Sequence, residues 1–167
     1  MSKEWSRWTE LSDKAYRKTN QNNNKDLKLL RDHNIISGAN RELSALLNIS
    51  RRIGIEHKSG SALDLCCGSG TISIELKKIG FDVYGIDINE DAISIAKKRL
   101  PSGNFIVGDI TKPGYYFNNK FKIIIAREAH PFSRINDQDF QIDIINKYVD
   151  LLDESGLFII AHADEGG

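Results

Sequence analysis

Four groups of residues in this sequence have types and spacings that suit chemistry. The first is Asp64 with the turn Cys66-Cys67-Gly68-Ser69-Gly70, whose small residues let another molecule approach bare backbone. A strand-like apolar run ends at Asp64, and Ile72, Leu76 and Ile79 follow at helical spacing, so the turn joins a strand to a helix start. The unpaired N–H groups and positive dipole end of that helix start suit an anionic ligand or one rich in acceptors. The second is Asp87, which closes the apolar run 81–87. A carboxylate there has two acceptor oxygens in one plane for the two hydroxyls of a ribose, with Ile88 beside it to pack on a base. The third is Asp109, at the exit of the run 104–107. The fourth is Arg127-Glu128-Ala129-His130, where Arg127 suits a carboxylate, Glu128 a cation or hydroxyl, and His130 a proton released by an acceptor. Ordinary roles compete: Asp109 as a cap for the next turn, and the fourth group as salt bridges and turn contacts.

Those residues need a scaffold that brings strand ends together. Strand-like runs near 61–65, 81–87, 104–107, 121–126 and 157–162 alternate with helical patterns, which predicts an α/β fold. The expected architecture is a Rossmann-like, doubly wound, mostly parallel sheet in the order 3-2-1-4-5 with helices on both faces. The patterned helices are one from near Ser37 with Leu43, Leu46 and Leu47 inward, one capped by Asn89, and one begun by Asp137 or Asp139 with Phe140, Ile144 and Tyr148 inward. Between 111 and 120, Pro113-Gly114 and Asn118-Asn119 leave room only for a rudimentary helix.

The run Asp64-Leu65-Cys66-Cys67-Gly68-Ser69-Gly70 resembles the first motif of the class I S-adenosylmethionine-dependent methyltransferases: acid, apolar, small, Cys or Gly, Gly, x, Gly. The resemblance extends in ordered fragments over residues 35–165. It implies S-adenosylmethionine as cofactor, lying across the carboxyl ends of the first three strands. The backbone of Cys66, Gly68 and Gly70 would lie near its methionine part. Asp64 would meet its amino group directly or through water, and Asp87 its ribose. Asp109 would meet the adenine amino group, and the Ile110 N–H a ring nitrogen. Methyl transfer to an acceptor follows, most simply a small molecule, with His130, Glu128 and Arg127 as candidates for handling it. Lys122 departs from the acid the family commonly carries, and the family's last two strands are missing from the pattern. The domain at 35–167 is therefore expected to be incomplete at its C-terminal side, or to pair with another subunit along the strand near 157–162.

Composition narrows the alternatives. Lys plus Arg and Asp plus Glu both number 23, so no net field draws the chain to nucleic acid. No apolar run has membrane-spanning length and the first residues lack a secretion signal, which predicts a cytoplasmic protein. The two cysteines are adjacent and too few for a structural zinc site, and no metal is expected. Residues 1–34 are expected to form a helical lid or cover, with Trp5, Trp8 and Tyr16 near an acceptor and an Asn-rich connection at 20–24. Two other readings stand beside the enzyme. One is a non-catalytic module that binds S-adenosylmethionine or a partner. The other is an NAD(P)-dependent oxidoreductase, which the partial glycine fingerprint disfavours because Ser73 stands at its third glycine.

Overall fold

The computed structural model describes residues 35–52, 55–133 and 135–161. The expected lid with Trp5, Trp8 and Tyr16, and His162, lie outside the described residues. Helix α1 (Ile35–Arg52) precedes β1 (Gly60–Leu65), α2 (Thr71–Ile79), β2 (Phe81–Asp87), α3 (Glu90–Arg99) and β3 (Asn104–Val107). A single 3-10 turn at Pro113–Tyr115 leads to β4 (Phe121–Arg127), the short α4 (His130–Ser133), α5 (Gln138–Val149) and β5 (Leu152–Ala161). The strands form one parallel sheet in the order β3-β2-β1-β4-β5, as the pattern predicts.

Strand alternation divides the core between the two faces of the sheet. Leu63, Leu65, Ile124 and Ala126 pack with Ile144 and Tyr148 of α5 on one face. Ala62, Val83, Ile123 and Ile125 pack with Leu43 and Leu47 of α1 and Leu76 of α2 on the other. Apolar residues on both faces are what a parallel strand covered by helices requires. Asp64, Asp87 and Arg127 fall in register with the second set, so their side chains share the α1 and α2 face.

β5 begins five residues earlier than its apolar run. Phe121 pairs with Leu152 and Ile123 with Leu157, so residues 153–156 bulge out of the ladder. The bulge has a left-handed Ser155 at φ 60 and is held by Lys122, whose Nζ lies 3.1 Å from Asp153 Oδ2 and donates to the Glu154 carbonyl at 3.0 Å. The family's usual acid at 122 would repel Asp153, so the departure at Lys122 is matched by a local partner. Among the described residues, no strand covers the outer edge of β5.

Candidate active site

The sheet order places a crevice between the carboxyl ends of β1 and β4, where successive connections run to opposite sides. Both strands leave it by the same unusual step: Cys66 has φ 54 and Glu128 φ 51, conformations that non-glycine residues rarely hold. Around these exits the structure gathers the four groups of residues singled out above.

The glycine turn is built by one hydrogen bond to β2 and one within itself. The Cys67 N–H donates to the Ile86 carbonyl at 3.1 Å, and the Gly70 N–H to the Cys67 carbonyl at 2.9 Å. Gly70 is the N-cap of α2 with φ 77, and a Cβ there would meet Ala96 Cβ at 3.2 Å, so both backbone and packing select glycine. Arg99, at the far end of α3, reaches back to the Ser69 carbonyl at 2.8 Å, Ser69 Oγ at 3.0 Å and Thr71 Oγ1 at 3.2 Å. Its place in Lys97-Lys98-Arg99 predicts only a dipole complement; the contact across thirty positions leaves no local trace in the sequence.

Asp64 is 2% exposed and accepts from Ser73 Oγ at 2.6 Å. It thereby serves the amino end of α2, where Gly70 offers no capping side chain. Ser73, in place of the fingerprint's third glycine, is the donor this arrangement needs. Burial pushes the Asp64 carboxyl up to about 7; Ser73 opposes the rise, Asp87 adds to it, and Arg127 opposes it. The structure therefore turns Asp64 onto α2, with little surface left for direct contact with a ligand.

Asp87 is the hub of the other side. Its Oδ2 accepts from the Gly68 N–H at 2.8 Å and its Oδ1 from the Asn89 N–H at 2.9 Å. These bonds fix the carboxylate plane against the glycine turn. Asn89 also caps α3 by accepting from the Ala92 N–H at 2.8 Å, so strand end, acid and helix start form one rigid corner. Ile88 is half-buried beside them.

The β3 exit is tied to this corner by the Gly108 N–H, which donates to the Asp87 carbonyl at 2.9 Å. Asp109 Oδ1 accepts from the Thr111 N–H at 2.9 Å, the turn-capping geometry that competes with a ligand role, while Oδ2 lies 3.9 Å from Lys112 Nζ. Ile110 is 2% exposed with its side chain in the core, so only its backbone is at issue for a ligand.

Across the crevice, Arg127 lies on the sheet face of Asp64 and pulls its pKa down. Glu128 donates its backbone N–H to the Ala161 carbonyl at 2.8 Å, and His130 begins α4. The backbone N–H of His130 faces the Cys66 sulfur. Burial, reinforced by Asp87 and Asp64, pushes both cysteine thiols well up, so both are neutral, and they divide between the faces. Cys66 packs with the α5 cluster and Cys67 with Ile93, Ala96 and Phe105. They act as packing residues, as their adjacency predicts. Among the described residues, no group of three metal-ligating side chains exists.

A parallel open sheet whose second strand ends in an immobilised carboxylate beside a glycine turn defines a Rossmann-like nucleoside-binding domain. The chain belongs to the methyltransferase-domain family, whose model matches residues 56–166. Its first 1–34 residues are outside that match. YqeM of Bacillus subtilis is 44% identical over 50 residues, 30% of this chain and 20% of that protein. The magnesium-protoporphyrin O-methyltransferase of Rhodobacter capsulatus is 34% identical over 80 residues, 45% of this chain and 34% of that one. The crystal structure of PH0226 from Pyrococcus horikoshii superposes with a TM-score of 0.64 at 27% identity, covering 80% of this chain and 57% of that one. The chain thus spans less than two thirds of the length of these relatives.

Proposed function

We propose that this domain binds S-adenosylmethionine and transfers its methyl group to a small-molecule acceptor. The observation that carries the reading is the Asp87 carboxylate, held in plane by the Gly68 and Asn89 N–H groups at the mouth of the glycine turn. That donor-poor, acceptor-rich edge suits a ribose diol. Asp109 and the Ile110 backbone are one strand further along, where a base attached to that ribose belongs. Cys66, Gly68 and Gly70 offer backbone on the other side, toward the methionine part.

When bound, the cofactor supplies an electrophilic methyl on a sulfonium, so the protein's work is alignment and exclusion of water. The backbone N–H of His130 faces the Cys66 sulfur, which supports reading the 127–130 segment as the side of the site that meets the acceptor. There His130 takes a proton from the acceptor where one must leave, and Glu128 and Arg127 orient it. Relatives matched over 45% and 39% of this chain carry names as different as a magnesium-protoporphyrin O-methyltransferase and a 23S rRNA uracil methyltransferase. The balanced charge of this chain favours the small molecule, because neutralising phosphates calls for a basic surface. Among the described residues no helix is long and apolar enough to cross a membrane.

Thermal unfolding with S-adenosylmethionine, S-adenosylhomocysteine and NAD in parallel tests the reading. A ligand at about a hundred times its dissociation constant stabilises by ~2.7 kcal/mol. Shifts with the first two alone are expected; a shift with NAD alone would overturn the assignment.

A further inference from the structure

The short step Gly108-Asp109-Ile110-Thr111 at the β3 exit is held by two tyrosine hydroxyls from different elements. Tyr116, just after the 3-10 turn, accepts from the Asp109 N–H at 3.3 Å. Tyr148, in the last turn of α5, donates to the Ile110 carbonyl at 2.9 Å. Tyr148 is fully buried, and burial raises its phenol far above the usual value, so it is a permanent donor. Gly108 makes the Tyr116 contact possible: a Cβ there would meet the tyrosine ring at 2.8 Å and Ile86 Cδ1 at 2.9 Å. Lys147 adds a longer contact from Nζ to the Thr111 carbonyl at 3.4 Å.

Two further N–H groups of the step are bonded within the fold. The Gly108 N–H goes to the Asp87 carbonyl and the Thr111 N–H to Asp109 Oδ1. Among the described residues, the Ile110 N–H has no hydrogen-bond partner, and Asp109 Oδ2 has only the exposed Lys112 at 3.9 Å. These two are one donor and one acceptor on neighbouring residues. That pair matches an aminopurine edge, a ring nitrogen beside an exocyclic amino group, and mismatches a 6-oxopurine, whose edge carries the opposite order.

We propose that Tyr116 and Tyr148 are positioning residues that set base specificity. By consuming the Asp109 N–H and the Ile110 carbonyl, they fix the peptide plane between them so that the Ile110 N–H and Asp109 Oδ2 face the base as a donor–acceptor pair. The inference rests on reading this site as the S-adenosylmethionine site. α5 thereby joins the two halves of the site, because its Gln141 Nε2 donates to the Pro131 and Ile135 carbonyls beyond the β4 exit at 2.9 and 2.7 Å.

Calorimetric titration of the full chain with S-adenosylhomocysteine and with S-inosylhomocysteine, its 6-oxo counterpart, tests this. The wild type should prefer the amino compound by at least about tenfold. Tyr116→Phe, which keeps the ring against Gly108, should cut that preference roughly three- to tenfold, the worth of one hydrogen bond. Tyr148→Phe should do the same, more strongly if its fold is retained by circular dichroism. A variant that merely loosened the site would weaken both ligands alike and leave the ratio unchanged. An unchanged ratio in Tyr116→Phe, or a wild type that binds both compounds equally, would overturn the inference. Failure of the wild type to bind S-adenosylhomocysteine at all would instead overturn the site reading beneath it.

Discussion

The exits of β1 and β4 leave one crevice by the same left-handed step, yet they are secured in different ways. On the β1 side the acids are locked by short bonds, Asp87 accepting from the Gly68 and Asn89 backbone N–H groups and Asp64 from the Ser73 hydroxyl. On the β4 side the anchors hold backbone, through the Glu128 N–H to Ala161 and Gln141 to Pro131 and Ile135. The contrast suits a domain that meets one constant ligand and one variable one. Hydrogen bonds to a carboxylate fix its direction, which fits a nucleoside of fixed shape. A loop anchored by backbone bonds at Glu128, Pro131 and Ile135 keeps those anchors when its side chains change.

Substitutions can break this comparison, and Asp87→Ala should have the largest effect. It removes the proposed ribose acceptors and strands two N–H groups, so S-adenosylhomocysteine affinity should fall about a hundredfold or more. Stability should drop by ~1–3 kcal/mol for each donor left unsatisfied. Chemical denaturation beside calorimetric titration reads both. Ser73→Ala should cost ~1–3 kcal/mol by removing the Oγ donor from buried Asp64. Gly70→Ala should cost about 1–2 kcal/mol, because φ 77 and the 3.2 Å approach to Ala96 both oppose a Cβ. Gly114→Ala, with open space around its Cα, should stay within about 0.5 kcal/mol. Equal costs at 70 and 114 would remove the packing account of the turn.

The pH dependence of stability sharpens the same contrast. The Asp64 carboxyl is raised in the folded state to about 7, so the folded chain holds a proton there that the unfolded chain has lost. Its contribution is fully present below about pH 4 and is lost as pH rises from 4 to 7. Asp64→Asn keeps an acceptor for Ser73 and removes the titration. The stability of the variant relative to wild type should therefore climb between pH 4 and 7 and level off above. A flat difference in denaturation midpoints across that window would contradict the buried-acid account.

Much of this was legible in the sequence because it is local. Asp87 and Asp109 announce themselves as acids at the ends of apolar runs, and the alternation of strands and helices gives the sheet order. What escaped the sequence depends on long side chains crossing between elements. Arg99 returns to the glycine turn from the end of α3, and Lys122 pins a bulge thirty residues away. Tyr148 reads as one more apolar position on the α5 stripe, and nothing in its periodicity shows that its hydroxyl reaches Ile110. Asp64 and Ser73 show a third case. Both were visible, but only the folded chain shows that the Ser73 hydroxyl donates to the buried Asp64 carboxyl.

The central claim is a division of labour across the crevice, and one calorimetric comparison tests it most directly. S-adenosylhomocysteine is titrated into wild type, Asp87→Ala and His130→Ala. The account predicts strong binding to wild type, a loss of about a hundredfold or more in Asp87→Ala, and a change of less than about threefold in His130→Ala. Binding that survives Asp87→Ala, or falls as far in His130→Ala, would contradict it.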